Sequence, residues 1–258
     1  MLPHVDAISA VSSATLASLR TRNLLRVDVP VEIIPIGAER RDHAVAAEWG
    51  RNLIVREEGT FHVAYLGTLT SRMLPALSVF LHAVSQARST ASRRIALHLI
   101  GTSAQAGGND QHDLRSLAAQ SGVIADLHLH PARVSYLDAL RTMQEADLLL
   151  LVGSTDSHYT ASKLFPYWLT GKPILGLFHR QSTIVGLAEE LGGTRLIVYN
   201  ESEPPETRVG ELSALLAESV EGKTIVPPRN EQAFESYSAD GVASRYARLF
   251  SKVAAGCE

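Results

Sequence analysis

The chain has 258 residues, of which 45% are hydrophobic and 20% are charged, and its formal net charge is −3. A chain of this size can bury a sizeable core, in one large domain or in one domain plus part of another. The net charge provides no basic field for a nucleic-acid backbone, so no nucleic-acid partner is predicted. The single cysteine, Cys257, excludes a disulfide framework and a cysteine-based metal site, which favours a reducing, cytoplasmic compartment.

No apolar run approaches the ~18 residues that a membrane-spanning helix needs. The N-terminus lacks the basic region and the long apolar region of a signal peptide. We therefore expect a soluble chain, for which peripheral membrane contact stays compatible with the sequence.

The N-terminal segment predicts a strand at 6–12, a helix at 13–22 and a second strand at 31–37. These three elements are a fragment of an α/β layer and are too few to close a sheet. Near the C-terminus, a helix at 209–220 precedes a Pro-rich connector. The last predicted region, 231–254, is helical and is broken near Asp240-Gly241.

Between Phe61 and Asn200, six apolar, β-rich runs alternate with amphipathic stretches. Several runs are apolar almost throughout, as expected for strands covered on both faces. The alternation predicts right-handed βαβ units and a Rossmann-like α/β fold with a doubly wound parallel sheet of about six strands. The predicted strands are 62–67, 95–101, 125–130, 147–153, 173–178 and 195–200, and the predicted helices between them are 72–88, 111–121, 135–146, 163–170 and 182–191.

The turn after the first of these strands contains Gly67 and Thr68, with Arg72 close behind. Glycine lets the backbone approach a ligand at the C-terminal edge of a sheet, and Arg72 could pair with a phosphate. Spacing alone favours an ordinary βα turn with a solvated Arg72. There is no complete GxGxxG, so a dinucleotide fingerprint is not predicted.

Four further polar residues have simple structural interpretations. His128 and His130 alternate to one face of a strand, but no third ligand is apparent, so no metal site is predicted. Arg133 follows the same strand, in a loop that could cover a nucleotide base, although a plain βα loop is favoured. Asp147 is expected to be a satisfied carboxylate at a helix–strand junction.

Residues 158–180 form a polar loop, a short apolar helix and a strand. Pro166 is tolerated only in the first turn, so the helix should begin near Lys163. The N–H groups of Ser162, Lys163 and Leu164 would then be unpaired and, with the lysine, could seat a phosphate. A short packing helix with an exposed Lys163 explains the same residues equally well. No GxSxG elbow is present, and the catalytic residues stay unassigned.

The motifs YLGTL, HLIGTS, LRSLAAQSGV, HLHPARVSYLDALRTMQEADLLLLVG and SKLFPYWLTGKPILGLFH occur in this order between residues 60 and 200. Together they resemble the C-terminal, donor-binding domain of GT-B glycosyltransferases, within the retaining group that includes glycogen-synthase-like and mannosyltransferase-like enzymes. The resemblance extends weakly to both ends. It implies a remnant of the N-terminal domain with a linker at 1–40, the donor-binding domain at 41–230, and helices crossing back to the N-terminal part at 231–258.

The resemblance implies binding of a nucleotide-diphosphate-sugar as substrate, with no separate cofactor. The sequence offers no DxD-like metal site, so metal dependence is not predicted. The resemblance places donor-binding roles at Gly67 and Thr68 beside the phosphates, Arg72 as a neutralising cation, Arg133 and Val134 around the base, and Ser162 and Lys163 at the diphosphate. The acceptor, a saccharide or a lipid-linked molecule, would bind the N-terminal domain of such an enzyme, most of which this chain lacks.

One departure from the family concerns the nucleoside. Many retaining members carry a pair of glutamates, the second of which binds the donor ribose, where this chain has His158 and Pro166. Neither can replace a carboxylate, although Tyr159 and Tyr167 are nearby substitutes to consider. The resemblance therefore favours the donor-domain portion of a glycosyltransferase, with a non-catalytic binding module as the alternative. A nucleotide-sugar epimerase is less favoured because no acid/base carboxylates can be located for it.

Overall fold

The computed structural model describes residues 5–25, 29–103, 111–155, 159–223 and 226–255. Its strands are β1 (Ile8–Ala10), β2 (Val31–Ile33), β3 (Thr60–Leu66), β4 (Arg94–Ile100), β5 (Leu127–His130), β6 (Leu148–Val152), β7 (Ile174–His179) and β8 (Thr194–Tyr199). Its α-helices are α1 (Ser13–Thr21), α2 (Arg40–Trp49), α3 (Leu74–Ala87), α4 (Gln111–Gln120), α5 (Tyr136–Glu145), α6 (Leu164–Leu169), α7 (Thr183–Leu191), α8 (Val209–Val220), α9 (Glu231–Phe234) and α10 (Ala239–Ala255).

The central feature is a six-stranded sheet with the order β5-β4-β3-β6-β7-β8, in which every neighbouring pair is parallel. The predicted doubly wound α/β sheet is therefore confirmed, and its strands and helices match the predicted ones closely. The chain winds outward from β3 to β5 and then in the opposite direction from β6 to β8. The winding direction thus changes between β3 and β6, and a crevice opens outside the carboxyl ends of strands at such a point.

Each face of the sheet carries its own apolar core. Val63 and Tyr65 of β3 point into the core that α3 and α8 cover. Ala64 and Leu66 point into the opposite core, which contains residues of α5 and α6. Since both faces are covered, β3 and β6 are buried along their whole length, which explains their nearly continuous apolar sequence.

Helix α2 has no counterpart among the predicted elements. It is polar on average and buries only His43 and Ala46, so its apolar face is too narrow to stand out in the sequence. It begins after Glu39, whose carboxylate accepts a hydrogen bond from the backbone N–H of Arg41 at 2.9 Å. Its stability comes from packing against α5, where the Gln144 amide donates to the His43 carbonyl at 2.8 Å.

The C-terminal helices break two residues earlier than predicted, at Ser238. The Ser238 hydroxyl accepts a hydrogen bond from the Gly241 N–H at 3.1 Å, which caps α10. Gly241 lies in the first turn of α10. A glycine is needed there because a Cβ would lie 2.0 Å from the Glu235 carbonyl oxygen. This glycine therefore permits close packing and does not interrupt the helix.

Helix α10 lies against the parallel pair of strands β1 and β2. The Arg245 guanidinium contacts the Glu32 carboxylate at 3.3 Å and the Ile33 carbonyl, and the Tyr246 and Ser9 hydroxyls are 3.3 Å apart. Across the described ranges, no helix is both long and apolar enough to cross a membrane.

Candidate functional site

The turn after β3 lies at the point where the sheet changes its winding direction. Its backbone is fixed by neighbouring strands, since the Gly67 N–H donates to the Ile100 carbonyl at 2.8 Å and the Leu69 N–H donates to the Thr102 carbonyl at 2.9 Å. Gly67 has a φ of 124°, a conformation that side-chain-bearing residues rarely adopt. This requirement explains the glycine at this position.

Lys163 lies directly over this turn. Its Nζ donates a hydrogen bond to the Tyr65 hydroxyl at 3.1 Å and lies 5.0 Å from the centroid of the same ring. The Tyr65 hydroxyl in turn donates to the Thr68 carbonyl at 2.8 Å. A Cβ at Gly67 would be 2.2 Å from the Lys163 Cε. The structure thus brings Gly67, Thr68 and Lys163 together, and Tyr65 holds the lysine in place.

The ammonium of Lys163 is poorly solvated and has no anionic partner among the described residues. The side chain is half-buried, and burial lowers its pKa from the usual 10.5 to about 8. In the part of the chain that the structure describes, no carboxylate contributes to this pKa. A desolvated cation without a counter-ion favours binding of an anion, because the anion restores the electrostatic stabilisation that water supplied. The cluster of Lys163, Tyr65 and Gly67 is therefore a candidate anion site.

The prediction of free N–H groups at the start of α6 is wrong for two of the three residues. The Ser162 N–H donates to the Thr160 carbonyl at 3.0 Å, and the Leu164 N–H donates to the Ala161 carbonyl at 2.9 Å. A tight turn before the helix uses these donors, which the sequence pattern did not reveal. Any anion binding here would therefore depend on the Lys163 side chain more than on the helix terminus.

Tyr167 is buried and already hydrogen-bonded, so it is not available as a ribose ligand. It is fully buried, and its hydroxyl accepts a hydrogen bond from the Leu66 N–H at 2.8 Å. Pro166 lies in the first turn of α6, as predicted. Tyr159 is half-buried, and its ring stacks on Phe178 with 6.4 Å between centroids. His158 lies outside the described residues.

The remaining predicted site residues lie in loops around the cluster. Arg72 is exposed in a short 3₁₀ turn before α3, and its carbonyl accepts a hydrogen bond from the Thr155 N–H at 3.0 Å. Arg133 is exposed in the loop after β5, and Val134 of the same loop packs on the core that contains α6. Arg133 and Val134 therefore belong to a neighbouring loop and not to the Lys163 cluster itself.

Asp147 is a junction carboxylate, as predicted. One of its oxygens accepts from the Arg56 guanidinium at 2.9 Å and the other from the His62 N–H at 2.8 Å. These bonds tie the start of β6 to β3 and to the segment before it. The carboxylate has a structural role that requires no substrate.

The side chains of His62, His98 and His128 lie next to one another on the same face of the sheet. His98 stacks on His128 with 4.6 Å between centroids, and the His98 Nε2 is 3.0 Å from the Nδ1 of His62. A hydrogen bond between two rings uses the nitrogens that would otherwise bind a metal. Within the described residues, no group of three histidine, cysteine or acidic side chains is arranged to hold a metal ion. Burial, with smaller contributions from the other two rings, lowers the pKa of His98 to about 3.

The contact of Tyr65 with the turn and with Lys163 was not predicted from the sequence. A tyrosine at the end of a buried strand, directly before the Leu-Gly of the turn, was the available signal. Its hydroxyl needs a polar partner when its ring is buried, and the turn and Lys163 supply two.

Comparison with solved structures identifies the architecture. Sucrose-phosphate synthase from Thermosynechococcus elongatus superposes with a TM-score of 0.67 at 15% identity, covering 99% of this chain and 60% of its own. The fold is that of the GT-B glycosyltransferases. Trehalose 6-phosphate synthase from Burkholderia multivorans gives a TM-score of 0.66 at 13% identity, covering 100% of this chain and 61% of its own. Anabaena HepE, solved with UDP and glucose, gives a TM-score of 0.65 at 14% identity, covering 96% of this chain and 64% of its own.

The GT-B fold that the ordered motifs implied is therefore confirmed. No protein-family model matches the sequence, and no curated protein matches it either. The chain spans about three fifths of the length of these solved glycosyltransferases.

Proposed function

We propose that this chain is the donor-binding portion of a glycosyltransferase that transfers a sugar from a nucleotide-diphosphate-sugar to a saccharide or lipid-linked acceptor. The observation that carries the proposal is the Lys163 ammonium, held over Gly67 at the crevice of the sheet without an acidic partner in the described chain. The HepE structure, which contains UDP and glucose on the same fold, supports this class of ligand.

The chemistry of sugar transfer suits this position. When the bond between sugar and diphosphate breaks, negative charge develops on the departing phosphate oxygen. A preoriented ammonium stabilises that charge more than it stabilises the intact donor, which accelerates the step. Gly67 leaves room for the Lys163 side chain over the turn because it has no side chain of its own. Arg72 and the Ser162 region are proposed as outer contacts of the diphosphate, and Arg133 and Val134 as neighbours of the base. Transfer with retention follows from the resemblance alone.

A non-catalytic binding module is the second candidate, and Pro166 is the observation that favours it. Pro166 lies in the first turn of α6 and offers no side-chain acceptor for a ribose. Tyr167, its neighbour, is occupied by the Leu66 backbone. A domain that lost its ribose contacts could retain binding of a diphosphate without supporting efficient transfer.

Calorimetric titration with UDP, GDP, ADP, dTDP and their sugars tests the proposal. We expect at least one nucleoside diphosphate to bind, and Lys163→Ala to weaken it about 10- to 100-fold. That range corresponds to the roughly 1.5–3 kcal/mol of a charge-assisted hydrogen bond. Lys252→Ala, on the exposed face of α10, is the matched control and should bind like the wild type.

Two results would contradict the proposal. One is the absence of binding for every nucleotide in the panel. The other is equal binding by the wild type and Lys163→Ala, which would place the nucleotide elsewhere. If a nucleotide binds as proposed but the protein joined to any N-terminal half transfers no sugar, the binding-module candidate is favoured.

A further inference from the structure

A second cavity lies at the same edge of the sheet, over the carboxyl ends of β6, β7 and β8. Its volume is about 400 Å³, which is within the range of small-molecule sites. Lys163 does not line it. Its polar lining includes Ser154, Thr155, His179, Gln181, Tyr199 and Glu201.

Two rings pack together on one side of the cavity, and an exposed carboxylate contacts one of them. The rings of His179 and Tyr199 meet edge to face, with 5.4 Å between centroids and 78° between planes. The Gln181 N–H donates to the Nδ1 of His179 at 3.3 Å, so in the neutral ring the proton is on Nε2. Nε2 then points at the Oε1 of Glu201, 3.3 Å away. One carboxylate oxygen is thus engaged by the imidazole, and the other can accept from a ligand.

The loop that carries Glu201 is held by hydrogen bonds of its own. The Asn200 side-chain oxygen accepts hydrogen bonds from the Ser202 N–H at 2.9 Å, the Ser202 hydroxyl at 2.7 Å and the Glu203 N–H at 2.9 Å. The Asn200 N–H donates to the Glu203 carbonyl at 3.1 Å. Such a turn fixes the backbone at Glu201, which lowers the ordering cost of presenting its carboxylate to a ligand.

The charge of the described lining residues disfavours a phosphate. No lysine or arginine is among the described residues that line this cavity, and Glu201 adds a negative charge. The other polar groups are hydroxyls and amides, which both donate and accept hydrogen bonds. Pro204 and Pro205 add flat apolar surface beside the two rings. The complementary ligand is neutral, carries several hydroxyls that donate and accept in turn, and has an apolar face.

We propose that this cavity is a saccharide-binding site that takes a neutral pyranose, with Glu201 and Gln181 contacting its hydroxyls. The site is separate from the Lys163 cluster and does not depend on nucleotide binding. The Thr155 N–H at the cavity donates to the carbonyl of Arg72, in the short 3₁₀ turn before α3.

Backbone amide NMR with methyl α-glucopyranoside, methyl α-mannopyranoside, methyl β-galactopyranoside and maltose tests this proposal. Affinities of about 1 mM are accessible to such titrations, so weak binding is measurable. We expect at least one of these saccharides to shift the amides of 153–155, 179–182 and 199–203. Glu201→Gln and Gln181→Ala should each weaken that ligand about five-fold or more. Glu218→Gln, an exposed carboxylate on α8, is the matched control.

The readouts separate this site from the nucleotide site. Lys163→Ala should leave saccharide binding unchanged. The proposal is overturned if none of the four saccharides shifts these amides at concentrations up to about 50 mM, a range that covers weak millimolar binding. It is equally overturned if the shifts persist unchanged in both cavity variants, or if nucleoside diphosphates shift these amides and saccharides do not.

Discussion

Replacing Gly67 with alanine should abolish nucleotide binding and destabilise the protein at the same time. The new Cβ would lie 2.2 Å from the Lys163 Cε, so the flexible end of the lysine would swing away from Tyr65. The backbone φ of 124° adds strain of about 1–3 kcal/mol for any residue with a side chain. We expect calorimetry to show a loss of affinity at least as large as that of Lys163→Ala, and urea unfolding to show the loss of stability.

Gly59→Ala separates these two effects. Gly59 also has a positive φ, 72°, but a Cβ there would meet no atom within 4 Å. This variant should share part of the backbone strain and bind nucleotide like the wild type. If Gly67→Ala binds nucleotide normally although it folds, the close approach of Lys163 to Gly67 has no role in binding.

Acid should destabilise this protein well before its carboxylates titrate, because of the buried His98. The pKa of His98 is lowered from 6.5 to about 3 by burial and by the neighbouring rings of His128 and His62. Below pH 6.5 the unfolded chain takes up a proton that the folded chain refuses, so the free energy of unfolding falls as the pH falls towards 3. His62 acts in the same direction, since burial also lowers its pKa.

The expected size of this effect is roughly 2–3 kcal/mol from His98 between pH 6.5 and 4.5, given ~1.4 kcal/mol per pH unit for one excluded proton. Urea unfolding across this range measures it. His98→Gln should start less stable, because it loses packing against His128, but its stability should depend less on pH. His82→Gln, at an exposed position of α3, should keep the wild-type dependence. Equal slopes for His98→Gln and the wild type would contradict this account.

The sheet could be predicted from the sequence because burial on both faces leaves a strong mark on strands. The runs around Val63 and Leu150 are apolar throughout, and the helices between them have regular amphipathic spacing. Helix α2 was not predicted because its cap, Glu39, and its two buried residues give no strong periodic signal in the sequence. Its stability depends on α5, which is far away in the sequence.

The candidate site was predictable only in part. Gly67 and Lys163 were singled out separately, but their contact depends on a fold that brings the loops after β3 and β6 together. The Ser162 and Leu164 N–H groups are paired with carbonyl groups of a tight turn before α6, and no residue pattern in the sequence predicted this turn. Likewise, the sequence offered Tyr167 as a nearby hydroxyl, and only its burial and its bond to Leu66 show that it is already used.

The saccharide site went unnoticed in the sequence for a similar reason. Its residues come from the last positions of β7 and β8 and from the loops after β6, β7 and β8, and none belongs to a recognisable motif. His179 and Glu201 are 22 positions apart in the chain and become partners only because β7 and β8 are paired neighbours.

The pKa of Lys163, measured with and without nucleoside diphosphate, tests the central claim most directly. The chain has four lysines, so ¹³C-lysine labelling gives a spectrum in which Lys172, Lys223 and Lys252 serve as internal references. We expect Lys163 to titrate near 8 in the free protein and to move to a higher pKa when a diphosphate binds beside it. A Lys163 pKa that stays the same at saturating nucleotide would contradict the account, because the anion would then bind somewhere else.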